Sequence, residues 1–245
     1  MDEDASEVHD LAAQYPGKLN QLKNLFDREA HKYNVFPLDD RVTFRTDPGR
    51  PQARLELDSY TYYPGMTPLG KPAAVDVLNR SFKITVYVAD TPPEGAEGVL
   101  VAHGGRFGGY SLFIKEKKLH YVHNYVGVTE YRISSTSDVP AGPFTARFEF
   151  VKTGNLDINN GKGAPGTGTL YINDTKVGEL QIPVTVPQAY SLTGEGFCVG
   201  RDVETPVSEL YNAPFDFTGI IDKVVVDVGP KLDGASEMGN VLLRD

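Results

Sequence analysis

The chain has 245 residues, a formal net charge of −9 and a single cysteine, Cys198. An acidic surface repels phosphate backbones, so nucleic acid is not an expected partner. One cysteine cannot form an internal disulfide, and between Phe197 and Val199 it is predicted to be a small buried residue. The first ten residues are acidic, and no stretch approaches the roughly 18 apolar residues of a membrane span. We therefore expect a soluble protein with no membrane partner and no signal peptide in this chain; the compartment is left open.

Residues 1–45 have the periodicity of an α-helix. Five apolar side chains fall on one helical stripe, namely Leu19, Leu22, Phe26, Ala30 and Tyr33. Pro16 lies near the start of this segment and Pro37 just past its end. One amphipathic helix of about 18 residues cannot form a core of its own. We therefore expect it to dock on another part of the chain or on a partner.

From about Arg54 onward the pattern changes to short apolar runs separated by turn signals. The candidate strands are Arg54–Asp58, Phe82–Ala89, Gly98–His103, Tyr110–Lys115, Leu119–Asn124, Thr129–Ser134, Phe144–Val151, Gly168–Ile172, Lys176–Ile182, Phe197–Gly200 and Phe217–Val228. Many short strands without helices between them predict an all-β fold of two packed antiparallel sheets. The run Lys223–Val228 is apolar on both faces, which predicts that part of its sheet is also covered on the outer side.

Several segments, spread over essentially the whole chain, carry a family resemblance. They are Ser6–Ala12, Tyr15–Pro16, Lys18–Leu19, Pro37–Arg41, Tyr63–Met66, Asn79–Ser81, Gly95–Leu100, Gly104–Gly109, Val199–Asp202 and Phe217–Gly219. In this order they resemble the C-terminal region of bacterial arylsulfatases. There the end of the catalytic domain is followed by a concanavalin A-like, laminin-G-like sandwich. The resemblance implies a two-sheet antiparallel jelly-roll sandwich with an N-terminal α-helical segment.

The same resemblance implies a domain division and a function. Residues 1–45 would be the helical tail of a sulfatase catalytic domain, 46–230 the sandwich and 231–245 a C-terminal tail. The sandwich would be a non-catalytic accessory domain that packs on the catalytic domain, shapes the rim of its active site or mediates oligomer contacts. An exposed apolar patch is then expected where the partner would pack.

The chemistry that the resemblance assigns to the parent enzyme is not carried by this chain. A sulfatase uses a formylglycine made from a Cys/Ser-x-Pro-x-Arg motif and a divalent cation, expected to be calcium. Cys198 is followed by Val199-Gly200-Arg201, without the proline. We therefore expect no cofactor and no hydrolase activity for this chain alone. The stretch 154–163 also departs from the family pattern, because asparagines and an aspartate stand where a run of glycines is usual.

One catalytic pattern and one metal-binding pattern are present only in part. Glu56 and Asp58 form a pair like that of glycosidases with a Glu-x-Asp-x-Glu strand, but Tyr60 stands where the third carboxylate belongs. His120 and His123 are an odd number of residues apart on one strand and so point to opposite faces. His103 is expected to be separated from His123 by a third strand, or about 9.6 Å, too far for a shared metal ion.

The glycine-rich run Gly104–Gly109 lies between two predicted strands and is followed by no helix, so it is not a phosphate loop. Its glycines permit a tight turn that presents Arg106 and Phe107 as contact residues. The alternative is a turn with Phe107 folded into the core.

The alternative function is that of a lectin-like, carbohydrate-binding module. Its candidate sugar platforms are tyrosines, with Tyr62, Tyr63 and Tyr110 the main contact candidates beside Tyr60. The chain contains no tryptophan, which argues against this function, and tyrosines that alternate along a strand are more often packing residues.

The stretch Asn155–Gly161 resembles a calcium-binding loop only faintly. Its glycine is at the seventh position instead of the sixth, and the twelfth position is Gly166 instead of glutamate. A hairpin loop is the preferred interpretation. A calcium ion at the rim of the sandwich, near Asp202, is left open as an alternative.

Overall fold

The computed structural model describes residues 8–36, 38, 57–71, 73–191 and 193–229. The chain divides into two units, Met1–Arg54 and Leu55–Asp245. The predicted boundary at 45/46, the predicted tail 231–245 and Glu56 of the E-x-D pair lie outside the described residues. Within the described part of the chain, no helix is both long and apolar enough to cross a membrane.

The first unit contains helix α1, Pro16–Lys32, which confirms the predicted helix. Pro16 begins it, where a missing N–H group leaves no hydrogen bond unmade. The helix ends at Lys32, and the left-handed backbone of Asn34 (φ 54°) just beyond it lets the Val35 N–H donate to the Ala30 carbonyl at 2.9 Å. On the predicted apolar stripe, Ala30 is buried whereas Phe26 is 52% exposed. The apolar face of α1 is therefore largely exposed.

The second unit is an antiparallel sandwich, which confirms the predicted two-sheet jelly roll. Its strands are β1 Ser59–Tyr62, β2 Phe82–Asp90, β3 Gly98–Gly105, β4 Gly108–Lys115, β5 Lys118–Tyr125, β6 Thr129–Ser134, β7 Phe144–Lys152, β8 Gly166–Ile172, β9 Thr175–Ile182, β10 Phe197–Val199 and β11 Ile220–Val228. The six-stranded sheet has the order β1-β11-β2-β7-β8-β9, and the five-stranded sheet the order β10-β3-β4-β5-β6. The predicted first strand, Arg54–Asp58, lies mostly outside the described residues, and β1 begins after it.

The main core lies between the two sheets and follows from period-2 patterning. Along β2 and β7, buried and half-exposed side chains alternate, so each strand turns one apolar row inward. The ring of Tyr121 on β5 stacks on that of Phe148 on β7, with 3.4 Å between their centroids. Cys198 is buried, as predicted, and burial raises its thiol pKa to about 11.

One sheet is covered on its outer side, but not the one that the sequence predicted. Burial alternates along β11, so its valines do not form a two-sided buried strand. All of β3 is buried instead, because residues 201–217 fold over the outer face of the five-stranded sheet. A second apolar cluster fills that interface: Val99, Ala102, Phe113, Val122, Val207 and Tyr211, with Leu210 and Phe215 packed against them. We call residues 201–217 the covering segment.

One end of the sandwich, the loop end, gathers the β3–β4 and β5–β6 turns and the β7–β8 and β9–β10 loops. Tyr125 Oη, on the β5–β6 turn, donates to the carbonyl of Gly161 in the β7–β8 loop at 2.9 Å. The Ser191 N–H, in the β9–β10 loop, donates to the carbonyl of Gly108 at the β3–β4 turn, also at 2.9 Å. The stretch Asn155–Gly161 is part of the β7–β8 hairpin loop, as preferred from the sequence, and contains the short 3₁₀ helix Ile158–Asn160.

Candidate functional site

The β3–β4 turn exposes the two contact candidates of the glycine-rich run. Arg106 is exposed and Phe107 is 44% exposed. The alternative in which Phe107 folds into the core is therefore wrong. Positive φ angles at Gly104 (86°) and Gly108 (128°) turn the backbone, a conformation that glycine adopts without strain.

The tyrosine candidates do not share a surface with this turn. Tyr110 is fully buried and lies among the rings of Phe82, His103 and Tyr190. Tyr62 is 8% exposed and packs on Phe197 at 4.6 Å between ring centroids. The expectation that Tyr62 and Tyr110 are surface contact residues is thus wrong, because both point into the core.

Tyr63 is 59% exposed, but it follows β1 at the edge of the six-stranded sheet. Arg106 and Phe107 belong to the five-stranded sheet. Of the predicted contact residues, the structure therefore brings only these two together.

A buried asparagine fixes the β3–β4 turn to its neighbours. Asn124, 4% exposed on β5, donates from Nδ2 to the Arg106 carbonyl at 3.2 Å and to the Val207 carbonyl at 2.7 Å. Its Oδ1 accepts from the Gly127 N–H at 2.8 Å. One amide thereby joins the β3–β4 turn, the β5–β6 turn and the covering segment.

A second set of hydrogen bonds, through the side chains of Thr205 and Glu195, also supports the β3–β4 turn. The Arg106 N–H donates to Thr205 Oγ1 at 3.1 Å, and Thr205 Oγ1 donates to Glu195 Oε1 at 2.6 Å. Glu195 Oε2 also accepts from the hydroxyls of Ser191 and of Thr193, the latter at 2.6 Å. Burial acts to raise the pKa of Glu195, but these hydroxyls outweigh it and lower the pKa to about 2.

This support depends on glycine at position 105. A Cβ on Gly105 would lie 2.8 Å from Glu195 Cδ and closer still to Thr205 Oγ1. The absence of a side chain lets the carboxylate approach the strand just before the turn.

The fixed turns present a small mixed surface, which we call the tip platform: Arg106, Phe107, Gly127 and Val128. Val128 is 76% exposed, and a Cβ on Gly127 would lie 3.5 Å from Cδ1 of Phe107, so the ring and the β5–β6 turn are neighbours. Among the described residues, Arg106 forms no ion pair, so its guanidinium is available to a ligand. An exposed ring beside an unpaired cation, both on a rigid backbone, suits a polar ligand with one apolar face.

The outer face of the six-stranded sheet is also polar and aromatic, but its groups are paired with one another. The pairs are Lys83–Asp227 (2.8 Å), Arg147–Glu149 (3.1 Å), the Arg147 guanidinium over the Tyr171 ring (4.2 Å) and the Lys223 ammonium over the Tyr87 ring (5.0 Å). A ligand on this face would have to displace these contacts, whereas the side chains of the tip platform form no ion pair with the residues that the structure describes.

Asp202, the candidate calcium ligand, is a buried residue of the covering segment. It is 3% exposed and accepts from Tyr211 Oη at 2.6 Å and from the Val207 N–H at 3.3 Å. Burial raises its pKa, against the effect of those two hydrogen bonds. In the described part of the chain, no three His, Cys, Asp or Glu residues are grouped to hold a metal ion. The contacts of Asp202 therefore join parts of the covering segment to one another, and Tyr211 Oη, which also lies 3.0 Å from Ser111 Oγ on β4, links them to the sheet.

The histidines are arranged as their spacing predicted. His120 faces outward on β5, 2.8 Å from Ser134 Oγ, whereas His123 points into the core, where its Nε2 accepts from the Val186 N–H at 3.2 Å. Strand β4 lies between His103 on β3 and His123 on β5.

No protein-family model matches the sequence, and no curated protein sequence matches it. Similar solved structures include the CBM40 domain of Ruminococcus gnavus IT-sialidase bound to α2,3-sialyllactose, at 13% identity and a TM-score of 0.43, covering 67% of this chain and 83% of that one. Domains LG4-5 of the mouse laminin α1 chain give 13% identity and a TM-score of 0.41, covering 74% and 47%. The Caenorhabditis elegans galectin LEC-6 gives 10% identity and a TM-score of 0.35, covering 69% of this chain and 96% of that one. At these scores the likenesses carry no conclusion about function.

Proposed function

We propose that the sandwich is a non-catalytic carbohydrate-binding module and that it binds its ligand on the tip platform. The observation that carries this proposal is the exposed Phe107 ring beside Arg106, which forms no ion pair among the described residues, on a turn held by hydrogen bonds to Asn124 and Thr205. A sugar ring has an apolar face that stacks on an aromatic ring and hydroxyls that accept from a guanidinium. A rigid turn loses little conformational entropy when the ligand binds.

The experiment is a glycan array probed with the unmodified chain, followed by calorimetry on the glycans that bind. We expect Phe107→Ala to weaken binding by at least about tenfold, because it removes the stacking ring. Arg106→Gln should weaken it as well, since a neutral amide cannot replace the charge-assisted hydrogen bonds.

The matched control is Tyr87→Ala on the outer face of the six-stranded sheet. Tyr87 is 37% exposed, close to the 44% of Phe107, so both variants remove a similar exposed ring. Tyr87→Ala should leave the affinity unchanged. Loss of binding in Tyr87→Ala but not in Phe107→Ala would move the site to the sheet face, and a blank array would count against the proposal.

A second proposal keeps the resemblance to arylsulfatases: the chain is an accessory part of a sulfatase-like parent, and α1 is the element that packs on its catalytic domain. The exposed apolar side chains of α1 favour it, because Leu22 is 50%, Leu25 42% and Phe26 52% exposed. The genomic sequence upstream of Met1 tests this proposal. An in-frame Cys/Ser-x-Pro-x-Arg motif is expected, and a different family encoded there would contradict it.

A further inference from the structure

A cavity of about 300 Å³ opens beside the end of β7, and none of its lining residues belongs to the tip platform. It is lined by Arg80, Ser81, Gly229 and the stretch 152–155. We call it the basic pocket, because its lining includes two cations and no acidic residue. That local charge is opposite to the net charge of −9 of the whole chain.

Arg80 is a buried cation without a carboxylate partner among the described residues. It is 7% exposed. Its Nε and Nη2 donate to the Gly229 carbonyl, and its Nη1 donates to the Asp76 carbonyl at 3.4 Å. A guanidinium has five N–H donors, so two of them are left without an acceptor in the described part of the protein. A buried positive charge of this kind is stabilised by an anion.

Other donors of the pocket are free as well. The side chain of Lys152 forms no ion pair within the described residues, although its backbone N–H donates to Ser81 Oγ at 3.0 Å. The backbone N–H groups of Gly154 and Asn155 also have no hydrogen-bond acceptor in the described part of the chain. The volume is at the small end of the range for ligand cavities.

We propose that the basic pocket binds a small tetrahedral oxyanion, with Arg80 and Lys152 neutralising its two negative charges and the backbone N–H groups of Gly154 and Asn155 completing its hydrogen bonds. Charge-assisted hydrogen bonds from a guanidinium and an ammonium match the oxygens of such a dianion. This site shares no residue with the tip platform, so its test is independent of the test for carbohydrate binding there.

Inorganic sulfate is the probe, titrated calorimetrically into the full chain, with sodium chloride holding the ionic strength constant. We expect millimolar affinity, weaker binding of acetate because it carries one charge, and shifts of the Gly154 and Asn155 amide resonances. Lys152→Gln should weaken sulfate binding by about tenfold. It should leave the fold intact, because the Lys152 side chain has no partner among the described residues.

The charge-matched control is Lys176→Gln. Lys176 pairs with Glu179 at the start of β9, whereas Lys152 is level with the end of that strand. The Lys176→Gln variant should bind sulfate with the same affinity as the unmodified chain. Arg80→Lys keeps the charge and should weaken binding without unfolding the sandwich. Absence of sulfate binding, equal affinity in Lys152→Gln, or equal losses in Lys152→Gln and Lys176→Gln would overturn the proposal.

Discussion

Two histidines in the core make the stability of the sandwich sensitive to acid. Burial lowers the pKa of His103 and of His123 from 6.5 to about 4, and for His103 the charge of Asp76 opposes this only in part. The unfolded chain therefore takes up protons on these rings below about pH 6.5, before the folded chain does. Stability is unaffected above that pH and falls as the pH drops from about 6.5 to about 4.

We expect His103→Phe to reduce this sensitivity. The new ring fits a site already lined by Tyr110, Tyr190 and Phe197, and it removes Nδ1, which has no hydrogen-bond partner among the described residues. Urea unfolding at pH 7.5 and pH 5 should show that the variant loses about 2 kcal/mol less between the two pH values than the unmodified chain. His31 is exposed on α1, so His31→Gln serves as the control. An unchanged pH dependence in His103→Phe would contradict the assignment.

Asn124 is the residue on which the geometry of the tip platform depends most. Asn124→Ala removes three hydrogen bonds and leaves two carbonyls and one N–H without their partner. We expect a loss of about 2–4 kcal/mol in unfolding free energy and faster amide hydrogen exchange at Gly127. Asn160→Ala is the control, because Asn160 is exposed and bonds locally to Asp157 at 2.8 Å. Similar losses in the two variants would mean that Asn124 does not fix the turns.

At the scale of elements, the covering segment explains why the five-stranded sheet is buried on both faces. Apolar contacts of Val207 and Tyr211 hold it against Phe113 and Val122. The Tyr211 hydroxyl also donates to the buried carboxylate of Asp202 in the same segment. The segment also supplies Thr205, which supports Arg106. Its attachment therefore affects the tip platform.

Tyr211→Phe should loosen the covering segment, because Tyr211 Oη also lies 3.0 Å from Ser111 Oγ on β4. The buried Asp202 carboxylate loses its closest donor, at 2.6 Å, so we expect about 1–3 kcal/mol of destabilisation by urea unfolding. Tyr125→Phe also removes one tyrosine hydrogen bond, to the Gly161 carbonyl at the exposed loop end, and should cost less than about 1 kcal/mol. An equal or smaller effect in Tyr211→Phe would contradict a buried fastening role.

At the scale of the whole molecule, local patterns predicted the strands well and the site only in part. Alternation along Phe82–Asp90 and Phe144–Lys152 is a property of neighbouring residues, so these strands were found within one residue of their bounds. The glycines around Arg106 likewise predicted a tight turn that exposes the side chains of Arg106 and Phe107.

The supporting groups could not be predicted, because their partners are distant in sequence. Thr205 is 99 residues from Arg106, and only the fold of the covering segment brings them together. The burial of Tyr110 was missed for a similar reason, since its side chain faces the main core, where its ring partners Phe82 and Tyr190 are distant in sequence.

The division into two units predicts that the sandwich folds without the helical segment. Its two apolar clusters consist entirely of residues after Leu55. A chain of residues 55–245 should unfold cooperatively, with a midpoint within about 3 °C of the full chain, as measured by calorimetry. Loss of the cooperative transition would show that the core needs residues 1–54.

Amide chemical-shift mapping of the full chain, with a glycan selected on the array, tests the proposed binding surface most directly. The account predicts that the largest shifts are at Arg106, Phe107 and Gly127, with little change at Tyr87 and Arg147. Shifts concentrated on Tyr87 and Arg147, or none at millimolar glycan, would contradict binding at the tip platform.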